Sequence, residues 1–306
     1  MSTAPSTASR LASLFLRARQ EGRPVILDGG LGTELDDRGA DTSPPLWSGR
    51  APLAYPVLLL AIHREYVDAG ADIIDTCTFR TTRRSFENAG EKEDEWRRAA
   101  REAVRLAREA AGDRAPVSGC VGPLEDCFRP DPAPTGDGAR DEHLELCRQL
   151  ADEGVDLIVL ETFGTMGESL AAADAAREAG TPRAIPFGLS FTTLADGRLL
   201  SGEPLEGAVR GVCDLGAAFV CVNCIPPAHV TSALDILARA STVPYGAYAN
   251  LGRPEPAQDW RGSAWLPPLE YARIAASWVA RGASIVGGCC GSGPEHIRAL
   301  STAAWT

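Results

Sequence analysis

The chain has 306 residues, 44% of them hydrophobic, with a net charge of −11 and a pI near 4.9. That is enough apolar material for one large core. The acidic balance argues against nucleic acid and anionic membranes as partners, and no stretch approaches the roughly 18 apolar residues of a membrane span.

Residues 1–24 read as a tail followed by an amphipathic helix, with Leu11, Leu14 and Phe15 on one face. The tail is Ser/Ala/Arg-rich, as transit peptides are, but has no secretory apolar region or small-residue cleavage site. Eight apolar, β-branched runs then alternate with helical patterns. They are 25–30, 72–79, 116–123, 157–163, 185–192, 218–224, 244–251 and 284–290. Segments such as 93–112 and 143–154 have helical periodicity, and several close on Gly just before the next run. The stretch 128–142, "FRPDPAPTGDGARDE", reads as a mobile loop. This alternation predicts an α/β fold, a single (β/α)8 barrel over 25–306. A doubly wound sheet is the competing arrangement.

Barrel chemistry sits at the C-terminal ends of the strands. That rule selects Asp28 on the first strand, Thr76 and Thr78 on the second, and Glu161 and Thr162 on the fourth. It also selects Cys224 on the sixth strand, and Cys289 and Cys290 on the eighth. Spacing leaves two readings of these cysteines. They are small buried hydrophobes, or they form a zinc site with one open position. Adjacent residues on a regular strand face opposite ways, so two adjacent ligands need a backbone that leaves the strand. Gly287, Gly288 and Gly291 permit that, and Gly293-Pro294 then opens the last helix. Cys77, Cys120, Cys127, Cys147 and Cys213 read as packing. Cys221 and Cys224 form a C-x-x-C, but their odd spacing on a strand disfavours a redox pair. An odd total of nine cysteines, without a secretion signal, argues against disulfides. Positive charge is almost all Arg, with Lys92 the single lysine, and Ala, Gly and Pro are abundant. That bias points to a GC-rich bacterial genome and a cytoplasmic enzyme.

The motifs "DGGLGTEL" (28–35), "DTCTFRT" (75–81), "LETF" (160–163), "DGRLLSGEPL" (196–205), "VNCIPP" (222–227) and "GGCCGSGPEHI" (287–297) resemble the homocysteine S-methyltransferases. The resemblance spans about Val25 to Leu300. It implies a (β/α)8 barrel in which Cys224, Cys289 and Cys290 bind Zn2+. It further implies that Asp28 and Glu161 hold the amino group of homocysteine and that Thr76 lies near the amino-acid moiety. Gly29 would approach the carboxylate, and Asn223 would contact the substrate or support a ligand. The expected partners are a small thiol and a methyl donor. The expected reaction is direct, in-line methyl transfer to a metal-activated thiol, with a sulfonium donor such as S-methylmethionine or S-adenosylmethionine. No histidine is needed as base, and His63, His143, His229 and His296 read as surface or packing residues. "GGLGTEL" has Leu35 where the dinucleotide fingerprint has its third glycine. The stretch 122–131, "GPLEDCFRPD", is unlike the corresponding stretch of the S-methylmethionine enzymes of that family, and no cobalamin or folate domain is expected beside the barrel. Two other readings stand beside this one: methyl transfer to or from another small thiol, and a non-catalytic thiol-binding zinc protein.

Overall fold

The computed structural model describes residues 7–252 and 265–305. Eight parallel strands form one sheet: β1 (Val25–Ile26), β2 (Ile74–Asp75), β3 (Val117–Val121), β4 (Leu157–Phe163), β5 (Phe187–Phe191), β6 (Phe219–Asn223), β7 (Tyr245–Tyr248) and β8 (Ile285–Val286). Neighbours in sequence pair throughout, β8 pairs with β1, and a parallel bridge between Leu27 and Ile73 joins β1 to β2. The ring is therefore closed, and the expected (β/α)8 barrel is the fold. A doubly wound sheet would have left two unpaired edges.

Nearly every strand residue is buried, because crossover helices cover one face and the barrel interior the other. The helix Glu95–Ala111 shows how the outer layer forms. Trp96, Ala99, Ala100, Ala103, Val104 and Ala107 face the sheet, while Arg105 pairs outward with Glu102 and Glu109. The helix Thr7–Gln20 closes the bottom of the barrel. Its Leu11, Leu14 and Ala18 join Val25, Val159, Phe219 and Ile285 in the interior cluster, and Phe15 packs on Phe219 with ring centroids 6.2 Å apart. Among the described residues no helix is long and apolar enough to cross a membrane.

Two expectations on extent are corrected. The first, second and eighth strands pair over only two residues each. Their C-terminal tails, Asp28–Gly30, Thr76–Phe79 and Gly287–Cys290, leave the ladder because they turn in at the rim to build the site. The loop expected over 128–142 ends early, since a helix begins at Gly136 and runs to Asp152. Arg140, read as loop, is on that helix and pairs with Asp174 and Glu178 of the next one.

His63 lies fully buried on the helix Pro56–Ala69, and neither ring nitrogen has a hydrogen-bond partner. Burial pushes its pKa down to about 3. The unfolded chain, with an ordinary histidine pKa near 6.5, then takes up the proton that the folded chain refuses. Stability therefore falls as pH drops from about 6.5 toward 3, by about 1.4 kcal/mol per unit. His63→Leu is expected to stabilise the fold by roughly 1–3 kcal/mol at neutral pH by removing two unsatisfied polar atoms. It should also flatten this part of the acid limb. Urea midpoints of both proteins from pH 4 to 7 check both effects.

Candidate active site

A cavity of about 130 Å³ opens at the C-terminal rim, lined by Asp28, Asp75, Thr76, Glu161, Cys224, Cys289 and Cys290 among others. Each strand delivers its group by a local departure from strand geometry. On β4 the register shifts between Leu160 and Phe163, and Thr162 adopts φ +66°. This is a costly conformation for a β-branched residue. The Asn223 side chain holds it: Oδ1 accepts from Thr162 N at 3.0 Å, and Nδ2 donates to Thr162 Oγ1 at 2.8 Å. Glu161, just before that bulge, reaches the cavity. Cys224 follows the last residue of β6 in a left-handed conformation, φ +54°.

After β8 the backbone turns through Cys289–Gly291. Gly291 has φ +78°, and a Cβ there would lie 1.8 Å from the carbonyl oxygen of Gly252. Gly288 serves a different need, since its Cβ would meet the Ser292 hydroxyl at 2.0 Å. The turn is anchored by Leu251 N donating to Cys290 O at 2.8 Å and by Ser292 Oγ donating to Cys289 O at 2.7 Å. Both adjacent thiols thereby face the same point.

The sulfurs of Cys224, Cys289 and Cys290 all lie within 4.8 Å of one another, and Cys224 Sγ is 3.7 Å from Cys290 Sγ. A tetrahedral zinc with Zn–S bonds of about 2.3 Å sets sulfur–sulfur edges of about 3.8 Å. The donors therefore fit a thiophilic cation and leave one position facing the cavity. The nine cysteines are free thiols, so no disulfide competes. Hydrogen bonds from Cys224 and then Cys289 hold the Cys290 thiol well below its usual range, while Cys224, bonded to Cys289 and Cys290, is driven up. Ionising all three sulfurs this close together would need a cation to share.

Two asparagines support the sulfurs. Asn223 Nδ2 donates to Cys289 Sγ and Asn250 Nδ2 to Cys224 Sγ, each at 3.9 Å. Asn250 Oδ1 is fixed by Gly252 N at 2.9 Å. Such partners orient a ligand and stabilise its negative charge. Asn250→Leu is expected to weaken metal retention by about 10- to 100-fold. Competition with a chromogenic chelator measures it.

The acids line the same cavity. Asp28 is 3% exposed, and its Oδ2 accepts from Asp75 N at 3.0 Å. Burial raises Asp28 well above the usual carboxylate range, and it pushes Glu161 up to about 7, with the Cys289 sulfur adding to the effect. The two expected acids and three cysteines thus meet in one cavity. Thr76 also lines it, but its hydroxyl is occupied, bonding Thr78 Oγ1 at 2.7 Å and accepting from Cys120 N at 3.1 Å. Gly29 lines it too, and a Cβ there would strike the Tyr66 ring at 2.7 Å.

Several groups escaped the sequence reading. Cys77, Cys120 and Cys127 are buried as expected, yet all three line the cavity, and Cys120 Sγ sits 2.9 Å from Glu161 Oε2. Asp75, Tyr248 and the aromatic wall of Trp47, Phe79 and Phe128 are further lining residues. Arg80 braces that wall. Its guanidinium lies 5.0 Å from the Phe79 ring centroid and 5.4 Å from that of Trp47, and Nη1 donates to the carbonyls of Pro123 and Glu125. The stretch 122–131 is thus pinned against the cavity. His143 and His296 are buried away from it, bonded to Glu168 and to the Leu266 carbonyl.

The homocysteine S-methyltransferase family model matches residues 25–304. A selenocysteine methyltransferase of Astragalus bisulcatus is 30% identical, covering 96% of this chain and 95% of its own length. Homocysteine S-methyltransferase 2 of Arabidopsis thaliana is 27% identical, covering 92% and 93%. Among solved structures, the homocysteine methyltransferase MmuM of Escherichia coli in its metallated form superposes with a TM-score of 0.80 at 28% identity, covering 94% of this chain and 99% of that one. The apo form of the same enzyme gives 0.70. With the barrel, the three converging thiols and the motif spacing in agreement, the chain belongs to the homocysteine S-methyltransferase family.

Proposed function

We propose that the enzyme is zinc-dependent and moves a methyl group from a sulfonium donor to the thiol of homocysteine, giving methionine. The observation that carries this reading is the juxtaposition of three cysteine sulfurs within 4.8 Å of one another with buried carboxylates in one small cavity. Cys224, Cys289 and Cys290 would hold the zinc, which would bind the acceptor's sulfur and keep it as thiolate at neutral pH.

The remaining work falls to the chain. Asp28 and Glu161 receive the acceptor's ammonium through charge-assisted bonds, which fixes where its sulfur arrives. Asn223 and Asn250 donate N–H groups to the surrounding sulfurs. Trp47, Phe79 and Phe128 exclude water from the open side and suit a cationic donor. The acceptor sulfur attacks the methyl carbon in line, the donor's carbon–sulfur bond breaks, and its electron pair leaves with a neutral thioether. Holding both reactants in register supplies much of the rate.

Methionine formation from L-homocysteine by reduced, zinc-loaded protein tests this. S-Methylmethionine, S-adenosylmethionine, betaine and 5-methyltetrahydrofolate are supplied separately. Turnover with either sulfonium is expected, and turnover with betaine or the folate alone would overturn the donor assignment. The 30% identity to a selenocysteine methyltransferase favours a second reading, methyl transfer to a different small thiol or selenol. Selenocysteine, run as competing acceptor, decides between them by the ratio of kcat/KM values.

A further inference from the structure

We propose that Asp75 is a third anionic contact for the acceptor's ammonium group, and that its charge sets the discrimination against thiols lacking an amino group. This rests on reading the cavity as an amino-acid thiol site. Asp75 ends β2, is 8% exposed and lines the cavity beside Asp28 and Glu161. Its backbone N–H donates to Asp28 Oδ2 at 3.0 Å, so the two acids are adjacent at the rim. Ser118 Oγ donates to its Oδ1. Among the described residues no donor is assigned to Oδ2, and no Lys, Arg or His is paired with any of the three acids.

Burial, with Asp28 and Glu161 close by, raises the Asp75 carboxyl well above the usual carboxylate range, and a cation entering among the three acids would favour its ionised form. A packing role does not require a carboxyl, since an asparagine at 75 could accept the Ser118 hydroxyl bond and keep the backbone bond to Asp28. The carboxylate adds only charge, and that charge lies where a small cation enters. The donor cation is the alternative occupant. The aromatic wall of Trp47, Phe79 and Phe128 lines the same cavity and offers that cation ring faces, leaving the acids to the ammonium.

The test is Asp75→Asn in the zinc-loaded enzyme, with two acceptors: L-homocysteine and 4-sulfanylbutanoic acid, the same thiol without its amino group. The KM for homocysteine is expected to rise at least about 30-fold, with kcat changing less. For 4-sulfanylbutanoic acid kcat/KM should change by less than about twofold, so discrimination between the two collapses. Metal content and thermal midpoint should match the parent, and Asp75→Glu should recover part of the discrimination. An equal loss with both acceptors would overturn the proposal in favour of a structural role. A rise confined to the donor's KM would overturn it in favour of a donor contact. Failure of the parent enzyme to use homocysteine would instead remove the functional reading beneath it, a result visible before any variant is made.

Discussion

Cys290→Ser is expected to abolish stoichiometric metal and to cut methyl transfer at pH 7 by at least about 30-fold. The floor follows from the acceptor's own chemistry. A free thiol with a pKa near 8.5 is only about 3% thiolate at pH 7, so losing the group that ionises it forfeits that factor before any loss of positioning. Serine is nearly isosteric and keeps the Cys290 backbone contact with Leu251, so the fold should persist. Two sulfurs 66 residues apart in the chain, Cys224 and Cys290, stand 3.7 Å apart in the parent, and serine removes that edge of the cluster. The pH profile separates lost metal from lost structure. Residual activity in the variant should climb about tenfold per pH unit toward 8.5, tracking the free thiol. The parent should not show that slope. Metal analysis beside the rate profile decides it, and full activity in metal-free Cys290→Ser would refute the thiolate-centred chemistry.

The barrel was legible because its strands are buried on both faces and so appear as continuous apolar runs between helical repeats. Strand ends were not, since hydrophobicity does not register where a run stops pairing. In "SIVGGCC" only Ile285 and Val286 are in the ladder. The glycines were informative there, marking the turn that brings two neighbouring thiols to one side. The rim rule found Asp28, Glu161 and the three cysteines. Applied evenly, it would also have flagged Asp75, an acid closing the apolar run "DIID", and Asn250, just past β7. Cys127 left no such signal, because it comes from a segment without periodicity and reaches the cavity through tertiary contacts. Thr76 adds a use that the rim rule does not foresee. It is correctly placed at the rim, and its hydroxyl clips β2 to Cys120 on β3.

Glu161→Gln carries the second large effect, on acceptor binding. The Glu161 carboxyl is buried at the β4 bulge, with the Cys120 thiol 2.9 Å from Oε2 and no cation paired with it among the described residues. Glutamine keeps the size and one acceptor oxygen while removing the charge. Truncating one partner of a buried, hydrogen-bonded charge pair costs about 2–5 kcal/mol, so the KM for homocysteine should rise by about 30- to 4,000-fold. The effect on kcat should be smaller, because the ammonium is distant from the bond being made and is held equally in ground and transition states. Donor KM should move little. Initial-rate kinetics with both substrates varied measure all three. A large fall in kcat at unchanged acceptor KM would place Glu161 in the chemical step rather than in binding. On the proposed reading, the acids at the β1 and β4 ends would hold the ammonium and the cysteines at the β6 and β8 ends the sulfur, which would commit the thiol to one approach and leave the methyl group to arrive from the side of Trp47, Phe79 and Phe128.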